Sequence, residues 1–156
     1  MKGAAAKGAT ALLLALGLAG GCGTNPNTLD GSIGESFALG FDRVRIRKQS
    51  NTLLIEYLNG VASGFEKPCK IVLDIEDLTL GDDAVVDGEA FLQRVTIDRI
   101  TATGGPFPDL ERGSVEFREV ALDAGGRVDG EFEAIFVNGR TISGKFDGNV
   151  ELVSLE

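Results

Sequence analysis

From Phe37 onward the chain alternates apolar and polar residues in short runs broken by glycine, proline, asparagine and aspartate, which is the period of half-buried strands. Phe37, Leu39 and Phe41 share one parity and Val44 and Ile46 the other, so a bulge or bend is expected near Gly40–Arg43. Thr52–Asn59 reads two ways. Ser50 or Asn51 could cap a helix that Gly60 ends, but Leu53, Leu54, Ile55, Tyr57 and Leu58 also fit a buried strand, and the surrounding strands favour it. Gly64–Pro68 reads as a loop. Lys70–Asp77 alternates with Ile71, Leu73 and Ile75 on one face, Leu78–Leu80 continues it, and Gly81–Asp83 turns. Glu89–Ala102 reads as a further strand, with Phe91, Val95 and Ile97 on one side and Arg94, Thr96 and Asp98 on the other, until Gly104–Pro108 breaks it.

The strongest local pattern is C-terminal. Ser114–Asp123 forms a strand whose parity shifts between Phe117 and Val120, and Gly125-Gly126 turns the chain. Val128, Phe132, Ala134 and Phe136 then face inward, and Asn138-Gly139 turns again into Ile142, Phe146, Val150 and Leu152. A two-residue turn would set Phe132 opposite Lys145. A three-residue loop, Val137-Asn138-Gly139, instead pairs Phe136 with Arg140, Ala134 with Ile142, Phe132 with Gly144 and Gly130 with Phe146. Each aromatic then covers the glycine opposite, so these glycines serve packing. A Gly-x-Gly-x-x-Gly nucleotide loop is absent. The pattern predicts an all-β domain, an antiparallel β-sandwich or small β-barrel of about eight strands, with the choice between them open.

Before this domain the chain carries Lys2 and Lys7, a short apolar run over Ala9–Ala19, and small residues up to Cys22. The run is about eleven residues, short of the ~20 that a membrane-crossing helix needs. Leu18-Ala19-Gly20-Gly21-Cys22 resembles a bacterial lipobox, with Ala19 where a bulkier residue is usual. The resemblance implies cleavage between Gly21 and Cys22, lipidation of Cys22 with palmitate-like acyl chains, and a membrane-anchored protein of the cell envelope. Gly23, rather than an aspartate, follows the cysteine and by the same resemblance favours the outer membrane, facing the periplasm or the cell surface. The expected organisation is a signal peptide over 1–21, a lipidated cysteine and flexible tether over 22–36, and an all-β domain over 37–156. The stretch Val128–Val150, with Gly-x-Phe on either side of Asn-Gly, resembles small all-β lipoproteins of soil-dwelling Gram-negative bacteria. That resemblance implies the fold and no activity.

Charge and composition narrow the function. The chain has 15 basic and 24 acidic residues, and every acid follows Cys22 while Lys2 and Lys7 precede it, so loss of 1–21 leaves a net charge of −11. Such a balance disfavours nucleic acid and anionic headgroups and leaves the lipid as the expected attachment. With no histidine and Cys69 alone after Cys22, Ser-His-Asp, Cys-His and the usual zinc sites are excluded. Cys69 shares parity with Ile71 and Leu73 and reads as a buried apolar residue rather than a partner-linking thiol.

Arg43, Arg45 and Arg47 form a basic stripe that could grip a phosphate or carboxylate, but reads better as a solvated face paired with acids on neighbouring strands. Asp82, Asp83, Asp87 and Glu89 match no EF-hand spacing and read as a solvated connection rather than a calcium site. Phe107 reads as a plug folded into one end of the domain rather than an exposed contact. No cofactor, metal or catalytic residue is assigned. The reading that follows is a noncatalytic lipoprotein whose β-domain has a structural or protein-interaction role, with an envelope protein as partner. The alternatives are an apolar-ligand carrier lined by Phe132, Phe136, Phe146, Val150 and Leu152, and a two-carboxylate hydrolase using residues such as Glu116 and Asp98.

Overall fold

The structure, a computed structural model, describes residues 25–61 and 64–153. Its strands are β1 (Thr28–Asp30), β2 (Arg43–Gln49), β3 (Thr52–Val61), β4 (Gly64–Asp74), β5 (Val85–Asp87), β6 (Val95–Ile100), β7 (Leu110–Val120), β8 (Arg127–Phe136) and β9 (Thr141–Leu152). Eight of them lie side by side in the order β5-β7-β8-β9-β2-β3-β4-β6, curled into a half-barrel. The fold is all-β as the alternation predicts.

One pair departs from the expected antiparallel sheet. β1 pairs antiparallel with Ser143–Lys145 of β9, the chain reverses through a 3₁₀ turn at Ser32–Glu35, and β2 then pairs parallel with Val150–Leu152 of the same strand. Gly31–Asp42 joins β1 to β2, which run in opposite directions along the same edge of β9, and the parallel partners β2 and β9 are themselves separated by β3 to β8. This also shortens the tether: Leu29 and Ile33 are buried in the core, so the domain begins near Asn27 rather than at Phe37. The polar, glycine-rich composition of 22–36 concealed two short elements with one buried residue each.

The open side of the half-barrel is bridged by a helix. β5 and β6 stand at opposite ends of the strand order, and α1 (Gly88–Arg94) connects them directly. Gly88, at φ +54°, turns the chain out of β5, and Gln93 donates to Glu89 one turn back at 2.9 Å. The sequence reading of Glu89–Arg94 as strand is therefore corrected. Phe91 is the helix's single buried residue, so no 3.6-residue apolar repeat marked it. Phe91 lies over Gly113 of β7, where an added Cβ would come within 2.5 Å of its ring.

Three other segments differ from expectation. Phe37–Phe41 is loop rather than strand; its apolar residues alternate because Phe37 packs edge-on against Phe107 and Phe41 against Tyr57, closing one end of the interior. Gly64–Pro68 is strand rather than loop. Pro68 is accommodated because β4 is irregular there, shifting register against both β3 and β6, and such a site tolerates a missing donor. Leu78–Leu80 is loop after β4 ends at Asp74.

The C-terminal hairpin has the expected register throughout: Ala134 faces Ile142, Phe132 faces Gly144 and Gly130 faces Phe146. The Phe136 amide donates to the Arg140 carbonyl at 2.9 Å and Gly139 sits at φ +78°, as the three-residue loop requires. A Cβ at Gly130 or Gly144 would lie 2.8 Å from Phe146 or Phe132 respectively. Tyr57 crosses the interior from β3 and donates its hydroxyl to the Lys145 carbonyl at 2.9 Å, which ties the two halves of the sheet together. Thr52–Asn59 is strand, with both faces of Leu53–Leu58 buried.

Candidate interaction face

The β3 strand places a carboxylate where apolar residues surround it. Within Leu53–Leu58, Glu56 is 0% exposed, on the outward side between Leu54 and Leu58. An isolated ion there would be costly to desolvate. Three cations converge on it instead. Arg45 Nε donates to Oε2 at 3.0 Å, Arg47 donates from both Nε and Nη2 at 3.0 Å, and Lys67 Nζ reaches Oε1 at 2.6 Å.

The sheet register explains the convergence. β2 and β4 flank β3, and Arg45 and Lys70 both stand directly opposite Glu56. The β4 irregularity beside Pro68 lies between Lys67 and Lys70, and Lys67 reaches across to the same carboxylate. Burial alone would raise the Glu56 pKa, but the hydrogen bonds from Lys67 and Arg47, with their charges, outweigh it and hold the value down at about 2. Glu56 is therefore ionised at every ordinary pH and fixes three long side chains in place.

The stripe Arg43, Arg45 and Arg47 is a face paired with an acid on the neighbouring strand, as its spacing suggests, but the acid is buried rather than solvated. Arg43 stands apart, with its guanidinium 4.3 Å from the ring centre of Phe65, which is 55% exposed. Arg43, Arg45, Arg47, Lys67 and Lys70 thus share the outer face of β2–β3–β4 with two acids, the buried Glu56 and the exposed Asp74 at the end of β4. Asp98 of β6, opposite Lys70, and Glu151 of β9, opposite Arg47, flank it.

The outer face of β7–β8–β9 has the reverse balance. Glu116, Glu119, Asp129, Glu131, Glu133 and Asp147 share it with Arg112, Arg118, Arg127 and Lys145. Arg118 pairs with Asp129 at 2.6 Å, and Arg127 with Asp147 at 2.9 Å and Glu119 at 3.2 Å, all at exposed or half-exposed positions. The Asp147 carboxyl is held below its usual range chiefly by its hydrogen bond from Arg127. A polar groove of about 290 Å³ runs along this face past Glu116, Glu131, Glu133 and Lys145.

The other residues singled out by sequence fall as follows. Cys69 is fully buried, and burial pushes its thiol pKa well up, so it packs as an apolar residue. Phe107 is 8% exposed and stacks near Phe37 and Phe136, plugging one end. The acids Asp82, Asp83, Asp87 and Glu89 are not gathered on one point: Asp82 accepts the Val120 amide at 3.0 Å, and among the described residues no three such side chains converge as metal ligands.

Phe132, Phe136, Phe146 and Val150 are buried, but they fill the interior rather than line a space. Phe132 meets Tyr57 at 6.1 Å between ring centres, and Phe146 meets Phe117 at 5.8 Å. Leu152 is 54% exposed, outside that interior, because β9 has run past the core by then. Glu116 stands opposite Glu131 and Asp98 opposite Lys70, and the two carboxylates line different clefts. Cys22 and Gly21 lie outside the described residues.

Glu56 and Lys67 escaped the sequence reading. The signal for Glu56 was present, as a single charge inside Leu-Leu-Ile-Glu-Tyr-Leu opposite an Arg-x-Arg-x-Arg strand. No family of known proteins, no curated protein and no solved structure matches this chain.

Proposed function

We infer that this chain is a noncatalytic lipoprotein of the cell envelope, anchored by lipid on Cys22, whose β-domain works through contacts made by its outer faces. The observation that supports it most is the filled interior. Tyr57, Phe91, Phe117, Phe136 and Phe146 are all at most 1% exposed within one continuous core, which leaves the surface as the place for recognition. The packed rings likewise count against a carrier with an apolar cavity. The Leu18–Cys22 motif supports the anchor.

The experiment is cross-linking in the native envelope, with identification of the captured species, alongside metabolic labelling with a palmitate analogue in wild type and Cys22→Ala. A discrete protein partner and label lost in Cys22→Ala support the reading. Label that persists without Cys22, or capture of a small apolar ligand within the domain, overturns it.

A further inference from the structure

We propose that the outer face of β2–β3–β4 is a docking surface for anionic lipid headgroups, holding the domain flat against the membrane in which Cys22 is anchored. The proposal rests on the lipid anchor inferred above and adds a second attachment to it. Net charge argues against such contact, yet net charge is an average over surfaces of opposite sign. Five cations meet two acids on this face, and one of these, Glu56, is already saturated by Arg45, Arg47 and Lys67, while the other, Asp74, stands at the far end of β4 opposite Thr52. Each of those guanidinium groups keeps N–H donors that Glu56 does not use. Their positions are set by the buried carboxylate, so little side-chain freedom is lost on meeting a phosphate.

The length and exit point of the chain select a membrane as the occupant. Asn27 is fastened to β9, where its side-chain amide donates to the Asp147 carbonyl and its side-chain oxygen accepts the Asp147 amide. Asn27 lies only five positions after Cys22, a reach of at most about 18 Å. β1 and β2 share one edge of β9, and β2 joins it at Val150, three residues beyond Asp147. The anchored end therefore leaves the domain beside the arginine strand. A lipid at Cys22 brings this part of the surface within a few Debye lengths of the headgroups, where each basic residue contributes attraction. Exposed Phe65, beside Arg43, supplies an apolar group at the same face.

The test uses the chain from residue 22 to 156 carrying Cys22→Ala, whose core lies wholly between Leu29 and Val150. Co-sedimentation is measured with vesicles of 30% phosphatidylglycerol in phosphatidylcholine and with phosphatidylcholine alone. Expected is binding to the anionic vesicles at low salt that disappears at 0.5 M salt, with none to the neutral ones. Arg43→Gln and Lys70→Gln, which leave the bonds to Glu56 intact, each weaken binding about fivefold. Glu116→Gln with Glu133→Gln on the opposite face does not weaken it. Equal binding to both vesicles, no binding at low salt, or no effect of Arg43→Gln and Lys70→Gln overturns the proposal. So does self-association without vesicles that the same two substitutions abolish, since the face would then meet the acidic side of a second copy. Because this protein lacks the lipid, the outcome is independent of labelling at Cys22: loss of the lipobox reading alone leaves vesicle binding intact.

Discussion

The two outer faces of this half-barrel handle charge in opposite ways. On β7–β8–β9, acids and cations alternate across exposed strands and pair locally, as Arg118 does with Asp129 and Arg127 with Asp147. On β2–β3–β4, the cations converge on one carboxylate with no exposure at all. Exposed pairs gain little, because water screens them and two mobile side chains must be held. A buried, saturated carboxylate is different: its pairing adds little or nothing over a well-packed apolar substitute, but losing a partner leaves a charge stranded. The acidic face can therefore drift in sequence at small cost, while Arg45, Arg47 and Lys67 form a single linked unit with Glu56.

The sharpest way to break the comparison is Glu56→Gln. It leaves three cations crowded on a neutral amide and is expected to lower stability by about 3–5 kcal/mol in denaturant unfolding. A loss below about 1 kcal/mol would place Glu56 with the exposed pairs. Acid titration follows in size. Because Glu56 titrates at about 2 in the folded protein and near 4.5 when free, the folded state binds fewer protons between these values. Stability should be level above pH 4.5 as far as this group is concerned and fall by on the order of 3 kcal/mol as pH drops toward 2. Asp147, also depressed, adds a loss of the same sign at acid pH. Comparing wild type with Glu56→Gln across this range isolates the Glu56 part, since the variant lacks it.

Arg45→Gln removes one of several donors to Glu56 while Arg47 and Lys67 remain, so about 1–3 kcal/mol is expected by the same unfolding measurement. The smallest effect belongs to the other face. Arg118→Gln should change stability by at most about 1 kcal/mol, and that difference should shrink further in 1 M salt. A larger, salt-insensitive loss at Arg118 would erase the distinction between the faces.

Most strands were legible because burial on one side of a sheet imposes a two-residue period that survives in the sequence. The β8–β9 hairpin was legible to the level of register, since only one loop length sets Phe132 and Phe146 over Gly144 and Gly130. Where a segment contributes few buried residues, that period has nothing to act on. Ser32–Glu35 buries Ile33 and α1 buries Phe91, and one apolar position defines no repeat. Phe37–Phe41 misled for the converse reason. Its aromatics alternate because they cap an end of the interior, without any strand pairing.

By itself, then, the amino-acid order determined an all-β domain, the glycine–aromatic hairpin, the burial of Cys69 and Phe107, and the placement of Arg43, Arg45 and Arg47 on one face. Those follow from local periodicity and residue size. Only the tertiary structure decided that β2 lies parallel to β9, that α1 bridges the open side, and that Glu56 and Lys67 meet the arginines. Each of these joins residues on separate strands, and nothing local encodes which strands become neighbours. The net charge of the chain could not reveal the basic face for the same reason: charge is summed along the sequence but acts across a surface.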